Sequence, residues 1–238
     1  MTGHLLELFV APQGEGVLAG TPMLFLRLSG CKVGCRFCDT RESWPKAKRG
    51  LLRWKGEFED AGAEPFSNPV SVSQTAGWAS DFRARHPGLA WASITGGEPL
   101  EQPAFCSRLA KSLKEEGWKV YLETAGLHAA ALKKILPWTD FVCMDWKLDS
   151  SAGLSRPASH RAFLKALGRT PGQVKVVVSD ATTPEEIAEA AGATKGLPFV
   201  LQPLTRIGRQ KPPGLEKLEQ LRRAVGRPAR ILGQTQAV

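Results

Sequence analysis

Residues 30–40 of the chain are Gly-Cys-Lys-Val-Gly-Cys-Arg-Phe-Cys-Asp-Thr, and they place Cys31, Cys35 and Cys38 on one short loop. The spacing is C-x3-C-x2-C, with the aromatic side chain of Phe37 directly before the last thiol. Three thiolates on one loop suit three irons of a cubane [4Fe-4S] cluster and leave the fourth iron open to another ligand. The loop therefore predicts an iron–sulfur site that binds a cofactor or a substrate.

A structural zinc site is the alternative use of these thiols. Zinc in such sites takes four protein ligands, so a fourth donor would have to come from a distant residue, such as Cys106, Cys143 or His128. Cys106 and Cys143 fall within a predicted helix and a predicted strand, and we interpret both as core thiols. The pattern favours the cluster.

A second segment supports the cluster. Residues 93–99, Ser-Ile-Thr-Gly-Gly-Glu-Pro, follow a short apolar run and predict a strand that ends in a glycine turn. Together with the cysteine loop, this segment resembles the radical S-adenosylmethionine superfamily. The resemblance implies that Gly97 and Glu98 hold the methionine end of S-adenosylmethionine. Glycine suits that task because a side chain would block close approach of the backbone.

Several further segments narrow the resemblance. The most specific are Gln-Gly-Glu-Gly at 13–16 and Cys-Asp-Thr at 38–40, and the others are Glu-Thr-Ala-Gly at 123–126, Met-Asp-Trp-Lys at 144–147 and Gln-Pro-Leu at 202–204. In this order they resemble the 7-carboxy-7-deazaguanine synthase family over most of the chain. The resemblance implies a carbon–nitrogen lyase of queuosine and deazapurine biosynthesis. Its substrate would be 6-carboxy-5,6,7,8-tetrahydropterin, converted to 7-carboxy-7-deazaguanine with loss of ammonia.

The resemblance also implies a set of cofactor-binding residues. Residues 37–39 would border the adenine of S-adenosylmethionine, Glu123 would accept hydrogen bonds from the ribose, and Lys147 would pair with a carboxylate. A surface salt bridge for Glu123 and a solvent-exposed position for Lys147 are the alternatives. The complete predicted set is Phe37, Cys38, Asp39, Gly97, Glu98, Glu123, Asp145, Trp146 and Lys147.

A second implied set would bind the pterin. Gln13 carries both amide functions and Glu15 is an acceptor, so the pair suits the donors and acceptors of a pterin edge. Arg27 suits bidentate binding of the substrate carboxylate, and a strand residue that faces solvent is its alternative. The neighbours Leu26 and Leu28 alternate with it as core residues would. The complete set is Pro12, Gln13, Gly14, Glu15, Arg27 and Thr95.

Thr40 is the predicted magnesium ligand. It follows the last cysteine by two residues, and the resemblance implies a magnesium-binding threonine at that position. One neutral hydroxyl is a weak ligand for Mg²⁺, which keeps several waters and takes other oxygens from its substrate. The substrate carboxylate is therefore the expected co-ligand. The alternative is a threonine that caps a turn.

Composition and charge indicate one domain and an acidic partner. With 238 residues, 42% of them hydrophobic and 23% charged, the chain fits a single α/β domain over residues 1–238. A net charge of +9 is compatible with nucleic-acid binding, but the basic residues are scattered, with local density at 46–55 and 206–230. We expect no nucleic-acid partner. A basic surface would also suit an acidic substrate and an acidic electron donor such as a flavodoxin.

Cysteine usage and hydropathy indicate the compartment. Five cysteines, three of them clustered, argue against a disulfide framework and for a reducing environment. No apolar run approaches the roughly 18–20 residues of a membrane span, and the N-terminus lacks the basic start and apolar stretch of a secretory signal. We expect a cytoplasmic protein with no membrane partner. The family resemblance suggests a homodimer.

Strands and helices alternate along the chain, which predicts a parallel sheet. The largely β-branched run at 174–178 is typical of a strand buried on both faces. Six strand–helix units suit a partial, open parallel β/α barrel of the radical S-adenosylmethionine type. The predicted strands are 4–9, 23–28, 90–94, 119–123, 141–145, 174–178, 199–201 and 229–232, and the predicted helices are 72–85 with a cap at Ser71 or Ser73, 103–116, 128–136, 159–167, 183–191 and 215–225.

This layout places the candidate chemistry at one edge of the sheet. The cysteine loop follows strand 23–28, the Gly-Gly-Glu-Pro segment follows strand 90–94, and Glu123 ends its own strand. Ligands of open parallel sheets and barrels bind at the carboxyl ends of the strands. The positions of the motifs thus support a shared site independently of the family resemblance.

Two stretches depart from the family pattern. Residues 43–69 form a long, basic insertion that is rich in proline and glycine, and a lid, a dimer contact and a linker are all open interpretations. The tail at 234–238 carries Gln236 and Ala237 where the family usually has a histidine and a lysine. Substrate contact through the tail is therefore an open question.

Two alternative functions differ in their substrates. A glycyl-radical-activating enzyme shares the three-cysteine loop and acts on a protein backbone, whereas residues 13–16 and the strand that carries Arg27 favour a small pterin. A zinc-stabilised, basic RNA-binding module is the alternative outside the superfamily. Metal and sulfide analysis after anaerobic purification separates that module from a cluster enzyme.

Overall fold

The computed structural model describes residues 1–56, 62–205 and 210–233. Its strands are β1 (Thr2–Gly3), β2 (Leu5–Pro12), β3 (Pro22–Leu28), β4 (Arg49–Arg53), β5 (Glu64–Ser67), β6 (Val70–Ser71), β7 (Trp91–Thr95), β8 (Lys119–Thr124), β9 (Phe141–Asp145), β10 (Gly172–Val178), β11 (Phe199–Pro203) and β12 (Arg230–Ile231). Its α-helices are α1 (Val72–Arg85), α2 (Pro103–Glu115), α3 (Ala129–Ile135), α4 (Asp149–Ala152), α5 (Pro157–Leu167), α6 (Pro184–Ala193) and α7 (Leu215–Ala224).

A ten-stranded sheet organises the described residues, in the order β12-β11-β10-β9-β8-β7-β3-β2-β4-β5. Every neighbouring pair from β3 to β12 is parallel, as helical crossovers between the strands require. β2 is antiparallel to β3, and β4 and β5 extend that edge. The predicted open, largely parallel barrel is confirmed, with a mixed edge that the strand pattern did not predict.

Successive side chains of β10 lie alternately in the main core and in the lining of a cavity. Val174, Val176 and Val178 belong to the main core between the sheet and the helices, whereas Lys175 and Val177 line a cavity on the other face. Successive side chains of a strand point to opposite faces, so burial on both faces follows. The interpretation of 174–178 as a doubly buried strand is confirmed.

The same alternation on β3 puts Leu26 and Leu28 in the main core and Arg27 in the cavity lining. A second, smaller core contains Phe9, Met23, Phe25, Tyr121 and Cys143. Phe25 shares its face of β3 with Arg27, because side chains two residues apart point the same way. The apolar cluster therefore underlies the polar cavity.

The insertion at 43–69 contributes to the sheet edge. Its described part contains β4 and β5, and residues 57–61 lie outside the described residues. Two aromatic contacts join this region to α1: Trp54 stacks on Phe82 with centroids 4.3 Å apart, and Phe66 lies 4.7 Å from Trp78. The strands of this edge were not predicted, because the sequence there has no clear alternation.

Side chains cap the first turns of α1 and α6. Ser71, not Ser73, caps α1, since its hydroxyl accepts from the backbone N–H of Gln74 at 3.1 Å. Helix α6 begins with a capping box between Thr183 and Glu186. Within the described ranges, no helix combines the length and apolar character that a bilayer crossing demands.

Candidate active site

A cavity of about 550 Å³ lies at the carboxyl ends of β3 and of the parallel strands that follow it. It collects residues from the loop after β3, the turn after β7 and the ends of β8 to β11. The predicted site residues that line it are Gln13, Glu15, Arg27, Cys31, Cys35, Phe37, Cys38, Asp39, Thr40, Thr95, Gly97, Glu98, Glu123, Asp145 and Lys147.

Three predicted site residues are not part of this lining. Trp146 is 2% exposed and packs on the ring of His160 with centroids 4.5 Å apart, so its side chain belongs to the core. Pro12 and Gly14 flank Gln13 in the chain but do not themselves border the cavity. Any role of these three in ligand binding would have to involve the backbone or support of their neighbours.

The cysteine loop is closed by the segment that follows it. The N–H of Gly30 donates to the carbonyl of Ser43 at 2.7 Å, and the N–H of Cys31 donates to the carbonyl of Trp44 at 2.9 Å. The indole N–H of Trp44 also donates to Sγ of Cys38 at 3.2 Å. Both ends of the loop are thereby tied to the residues just beyond it.

The thiols of this loop sit in a partly buried environment. Burial raises the pKa of Cys31 to about 11. It also raises the pKa of Cys35, although the ammonium of Lys147 opposes the shift. Metal ligation deprotonates such thiols, because the thiolate is the metal-binding form. All five cysteines of the chain are free.

The donor set fits an iron–sulfur cluster. The three thiols of the loop line one wall of the cavity. Cys106 and Cys143 are buried, and Cys143 belongs to the smaller apolar core beneath the cavity, which confirms the interpretation of both as core thiols. Across the described ranges, no three His, Cys, Asp or Glu side chains converge on a point where one metal ion would bind. Each of three irons in a cluster needs only one thiolate, so a loop that spreads its sulfurs along a wall suits the cluster.

The Gly-Gly-Glu-Pro turn packs against the start of the cysteine loop. The N–H of Glu98 donates to the carbonyl of Gly30 at 3.0 Å. Gly97 has φ +42°, and a Cβ at this position would lie 2.7 Å from the same carbonyl oxygen. Only glycine tolerates both the backbone conformation and the close approach. The turn and the cysteine loop therefore form one continuous wall.

Glu98 fastens this turn to the end of β8. Its carboxylate accepts hydrogen bonds from the N–H of Leu100 at 3.0 Å, from Oγ1 of Thr124 at 2.7 Å and from the N–H of Ala125 at 2.7 Å. Burial raises the pKa of Glu98, and these hydrogen bonds oppose the shift. The carboxylate thus holds the turn in shape.

Glu123 is tied to the residues predicted to bind the pterin. One carboxylate oxygen accepts from Nε2 of Gln13 at 2.8 Å, and the other accepts from Oγ1 of Thr95 at 2.5 Å. Burial raises the pKa of this carboxyl group, and the negative charge of Glu15 adds to the effect. The predicted hydrogen bond to a ribose stays a prediction, and the contacts in the structure associate Glu123 with Gln13 and Thr95.

A buried charge network crosses the floor of the cavity. Lys175 forms an ion pair with Glu15 and lies 3.5 Å from Asp145, which in turn is 2.8 Å from Lys147. Gln202 donates to the second oxygen of Glu15 at 2.9 Å. Neither Lys175 nor Gln202 was predicted as a site residue. A lysine within the otherwise apolar run 174–178 was the available signal for Lys175.

A second pair of unpredicted residues surrounds Arg27. Its Nε donates to one oxygen of Glu7 at 2.7 Å, and Nε of Arg53 donates to the other oxygen at 2.6 Å. All three side chains line the cavity. Arg27 therefore does not point into open solvent, and two guanidinium groups share one carboxylate at this wall.

Thr40 lies beside an acidic residue. Its hydroxyl donates to Oδ1 of Asp39 at 2.8 Å, and both residues line the cavity. Thr40 also precedes the short 3-10 helix Arg41–Ser43, but its side chain makes no capping hydrogen bond to that helix. The turn-capping alternative for Thr40 is therefore not supported, and its hydroxyl lies next to a carboxylate.

Comparisons with known proteins agree with this geometry. The matching family model is described as a 4Fe-4S single cluster domain and covers residues 12–152. A 7-carboxy-7-deazaguanine synthase from Geobacter sulfurreducens is 34% identical over 86% of this chain and 83% of its own length. The crystal structure of QueE from Escherichia coli superposes with a TM-score of 0.66 at 24% identity, over 99% of this chain and 95% of that chain. Streptococcus suis SuiB bound to S-adenosylmethionine gives a TM-score of 0.56 at 15% identity, over 85% of this chain and 47% of that one.

The open sheet, the three-thiol cavity at its carboxyl edge and the matching cluster domain define a radical S-adenosylmethionine enzyme. Within that class, the chain belongs to the 7-carboxy-7-deazaguanine synthase family. The class and the family predicted from the sequence are both confirmed. This membership decides against a glycyl-radical-activating enzyme and against a zinc-stabilised RNA-binding module.

Proposed function

We propose that the chain converts 6-carboxy-5,6,7,8-tetrahydropterin to 7-carboxy-7-deazaguanine with loss of ammonia, as a carbon–nitrogen lyase of queuosine biosynthesis. One observation supports this most strongly. A single cavity is lined both by the three thiols of a cluster site and by Gln13, Glu15 and Arg27, the residues suited to a carboxylated pterin. Reactive cofactor and substrate would then meet in the same cavity.

Cys31, Cys35 and Cys38 would hold the cluster. When bound, a [4Fe-4S] cluster with one open iron binds the amino and carboxylate groups of S-adenosylmethionine and supplies the electron that cleaves its sulfonium. The residues around the cluster would bind and orient S-adenosylmethionine. The packed turn at Gly97 and Glu98 would shape the methionine site, and residues 37–39 would border the adenine.

Two buried acceptors mark where a hydrogen-bond donor of a ligand would fit. Oδ1 of Asp145 and Oε1 of Gln202 are buried and have no hydrogen-bond partner within the described part of the chain. Both residues line the cavity. A buried acceptor without a donor is unfavourable, so a ligand that carries N–H or O–H groups would stabilise this region. S-adenosylmethionine and the pterin both carry such groups.

Arg27 and Arg53 would attract the substrate carboxylate. Both guanidinium groups donate to the carboxylate of Glu7 and line the cavity. A guanidinium–carboxylate pair in a partly buried site is a strong, directional interaction. On the neighbouring wall, Glu123 would hold the side chains of Gln13 and Thr95 in position for the pterin edge.

Turnover tests the proposal. The chain is reconstituted anaerobically with iron and sulfide, reduced, and incubated with S-adenosylmethionine and the carboxypterin. We expect 7-carboxy-7-deazaguanine by mass spectrometry and an equal amount of ammonia. A fully reconstituted enzyme that cleaves S-adenosylmethionine but forms neither product would contradict the proposed substrate.

Magnesium would bind at Thr40, with the substrate carboxylate as co-ligand. The neighbouring carboxylate of Asp39 supports a cation at this place. We predict that magnesium increases the turnover of the wild type, and that Thr40→Ala removes most of this increase while the variant still cleaves S-adenosylmethionine. Equal magnesium dependence in both proteins would exclude Thr40 as a ligand.

An acidic, flavodoxin-type protein is the proposed electron donor. Lys32, Arg36 and Arg41 are exposed and lie on or next to the cysteine loop, so an acidic partner would be attracted close to the cluster. Free thiols throughout the chain support the proposed cytoplasmic location. The proposed homodimer rests on the family resemblance, and light scattering of the purified protein tests it.

A further inference from the structure

Trp44 is the feature of the cavity wall that the proposed function leaves without a role. It lies at the start of the 43–69 insertion, is half-buried and borders the cavity. Its indole N–H donates to Sγ of Cys38 at 3.2 Å. Cys38 is one of the three thiols that would bind iron. The contact is therefore a direct hydrogen bond from a side chain to a sulfur ligand.

The backbone holds Trp44 in the position that this contact requires. The carbonyl of Trp44 accepts from the N–H of Cys31 at 2.9 Å, and the preceding carbonyl of Ser43 accepts from Gly30 at 2.7 Å. The buried hydroxyl of Ser43 donates to the carbonyl of Thr40 at 2.6 Å. Because these bonds use backbone atoms or Ser43, they remain when the indole ring is replaced.

A cation beside the indole strengthens its N–H as a donor. The guanidinium of Arg41 lies 5.5 Å from the centroid of the Trp44 ring, within the range of a cation–π contact. Its position is supported by a hydrogen bond from Arg41 to the carbonyl of Arg36 at 3.0 Å. A positive charge near the ring draws electron density from the N–H, so its hydrogen bond to sulfur becomes stronger.

We propose that Trp44 is a positioning residue that raises the reduction potential of the cluster through its hydrogen bond to Cys38. This inference rests on the proposed function, because it assumes that Cys38 ligates the cluster. On reduction, one electron passes from the donor to the cluster, and negative charge on the ligating sulfurs increases. A hydrogen bond to sulfur favours that state, and such bonds are among the determinants of cluster potentials.

The size of the effect follows from the energy of one hydrogen bond. If the contact is stronger in the reduced state by about 1 kcal/mol, the ratio of reduced to oxidised cluster at a fixed potential changes about fivefold. At 59 mV per tenfold for one electron, that corresponds to about 40 mV. Loss of the N–H should shift the potential by this amount in the negative direction.

The test compares Trp44→Phe with wild type and with Trp138→Phe as a matched control. Trp138 packs near Lys111 on the helical side of the sheet and does not border the cavity. Each protein is reconstituted, its iron and sulfide are measured, and it is titrated with dithionite while electron paramagnetic resonance reports the reduced cluster. We expect full cluster content in all three and the negative shift only in Trp44→Phe. Equal potentials at equal cluster content would overturn the proposal.

If Trp44→Phe does not retain its cluster, a second measurement tests the proposed effect of the Trp44 N–H on the reduction potential. Wild type and Trp138→Phe are produced with 5-fluorotryptophan, which keeps the ring and makes its N–H a stronger donor. We expect a less negative potential in both labelled proteins than in their unlabelled forms, and an unchanged potential would overturn the proposal. Turnover of the carboxypterin by wild type is scored separately, so failure of the proposed function does not affect this result.

Discussion

Lys175 places a cation in the middle of a buried strand, where its ammonium group contacts Glu15 and approaches Asp145. Burial by itself would lower the pKa of Lys175, but the neighbouring carboxylates outweigh it and hold the pKa well above the usual value. The lysine therefore remains charged. It neutralises carboxylates from two separate parts of the chain and fixes the floor of the cavity.

Lys175→Met should be strongly destabilising, because it leaves the carboxylates of Glu15 and Asp145 close together without their shared cation. Removal of one partner of a buried ion pair costs about 3–5 kcal/mol. Urea unfolding measures the change. Exposed Lys165 provides the control, since Lys165→Met should change the stability by less than about 0.5 kcal/mol. Similar midpoints for the two variants would show that the network does not stabilise the fold.

His160 makes the stability of the protein depend on pH. Burial lowers the pKa of this side chain from 6.5 to about 4. Its Nε2 lies 3.2 Å from the carbonyl of Ala125, and its ring packs on Trp146. Because the folded pKa is below the unfolded one, the unfolded chain takes up the proton first. Stability is therefore complete above pH 6.5 and declines as the pH falls toward 4.

We predict that between pH 7 and pH 5 this one residue accounts for a loss of about 2 kcal/mol in the free energy of unfolding. His160→Gln keeps a polar group near Ala125 but does not titrate in this range. Urea unfolding at the two pH values should show a smaller loss for the variant. Parallel pH profiles in wild type and variant would mean that His160 is not the group responsible.

At the scale of elements, the turn after β7 has a tightly constrained backbone. Gly97 has a positive φ and lies against the carbonyl of Gly30. Gly97→Ala should therefore displace the wall between the turn and the cysteine loop. We predict a cost of about 1–3 kcal/mol in stability and weaker binding of S-adenosylmethionine, measured by calorimetry on the reconstituted enzyme.

Gly192 is the matched control for that substitution. It lies within α6, and a Cβ there would meet nothing within 4 Å. Alanine is a better helix former than glycine, so Gly192→Ala should stabilise the protein by about 0.5–1 kcal/mol. We therefore expect Gly97→Ala to lower the free energy of unfolding and Gly192→Ala to raise it. If Gly97→Ala were also neutral or stabilising, close packing of the turn would not be required.

For the whole molecule, the sheet and its helices carry the stability, and the cysteine loop lies outside that core. Of the three thiols in the cysteine loop only Cys35 is buried, and it is absent from both apolar cores. We predict that the apo form of a variant with Cys31, Cys35 and Cys38 all changed to alanine unfolds within about 1 kcal/mol of apo wild type.

Circular dichroism during urea unfolding measures this comparison. Phe82→Ala is the contrast, because Phe82 is fully buried in the main core and its loss should cost about 3–5 kcal/mol. A triple variant as unstable as Phe82→Ala would show that the cysteine loop is part of the folding core. The predicted outcome instead separates cluster binding from folding.

The sequence by itself determined the features that depend on local spacing. The period of two in β3 identified Leu26 and Leu28 as core, and the spacing of Cys31, Cys35 and Cys38 predicted a cluster site. Strand ends placed the motifs at one edge of the sheet, because βαβ order fixes which ends of the strands meet. These signals need only a few neighbouring residues, so they could be found without coordinates.

Only the tertiary structure decided which distant side chains meet. Gln202 contacts Glu15 across 187 positions of the chain, and Glu7 joins Arg27 to Arg53. Trp44 contacts Cys38 because the backbone of residues 43 and 44 is hydrogen-bonded to the start of the cysteine loop at Gly30 and Cys31. None of these pairs has a characteristic spacing, since partners from separate strands are brought together by sheet order and register. The charges of the cavity floor are therefore a property of the folded chain, whereas the thiols of its wall are already evident in eight consecutive residues, 31–38.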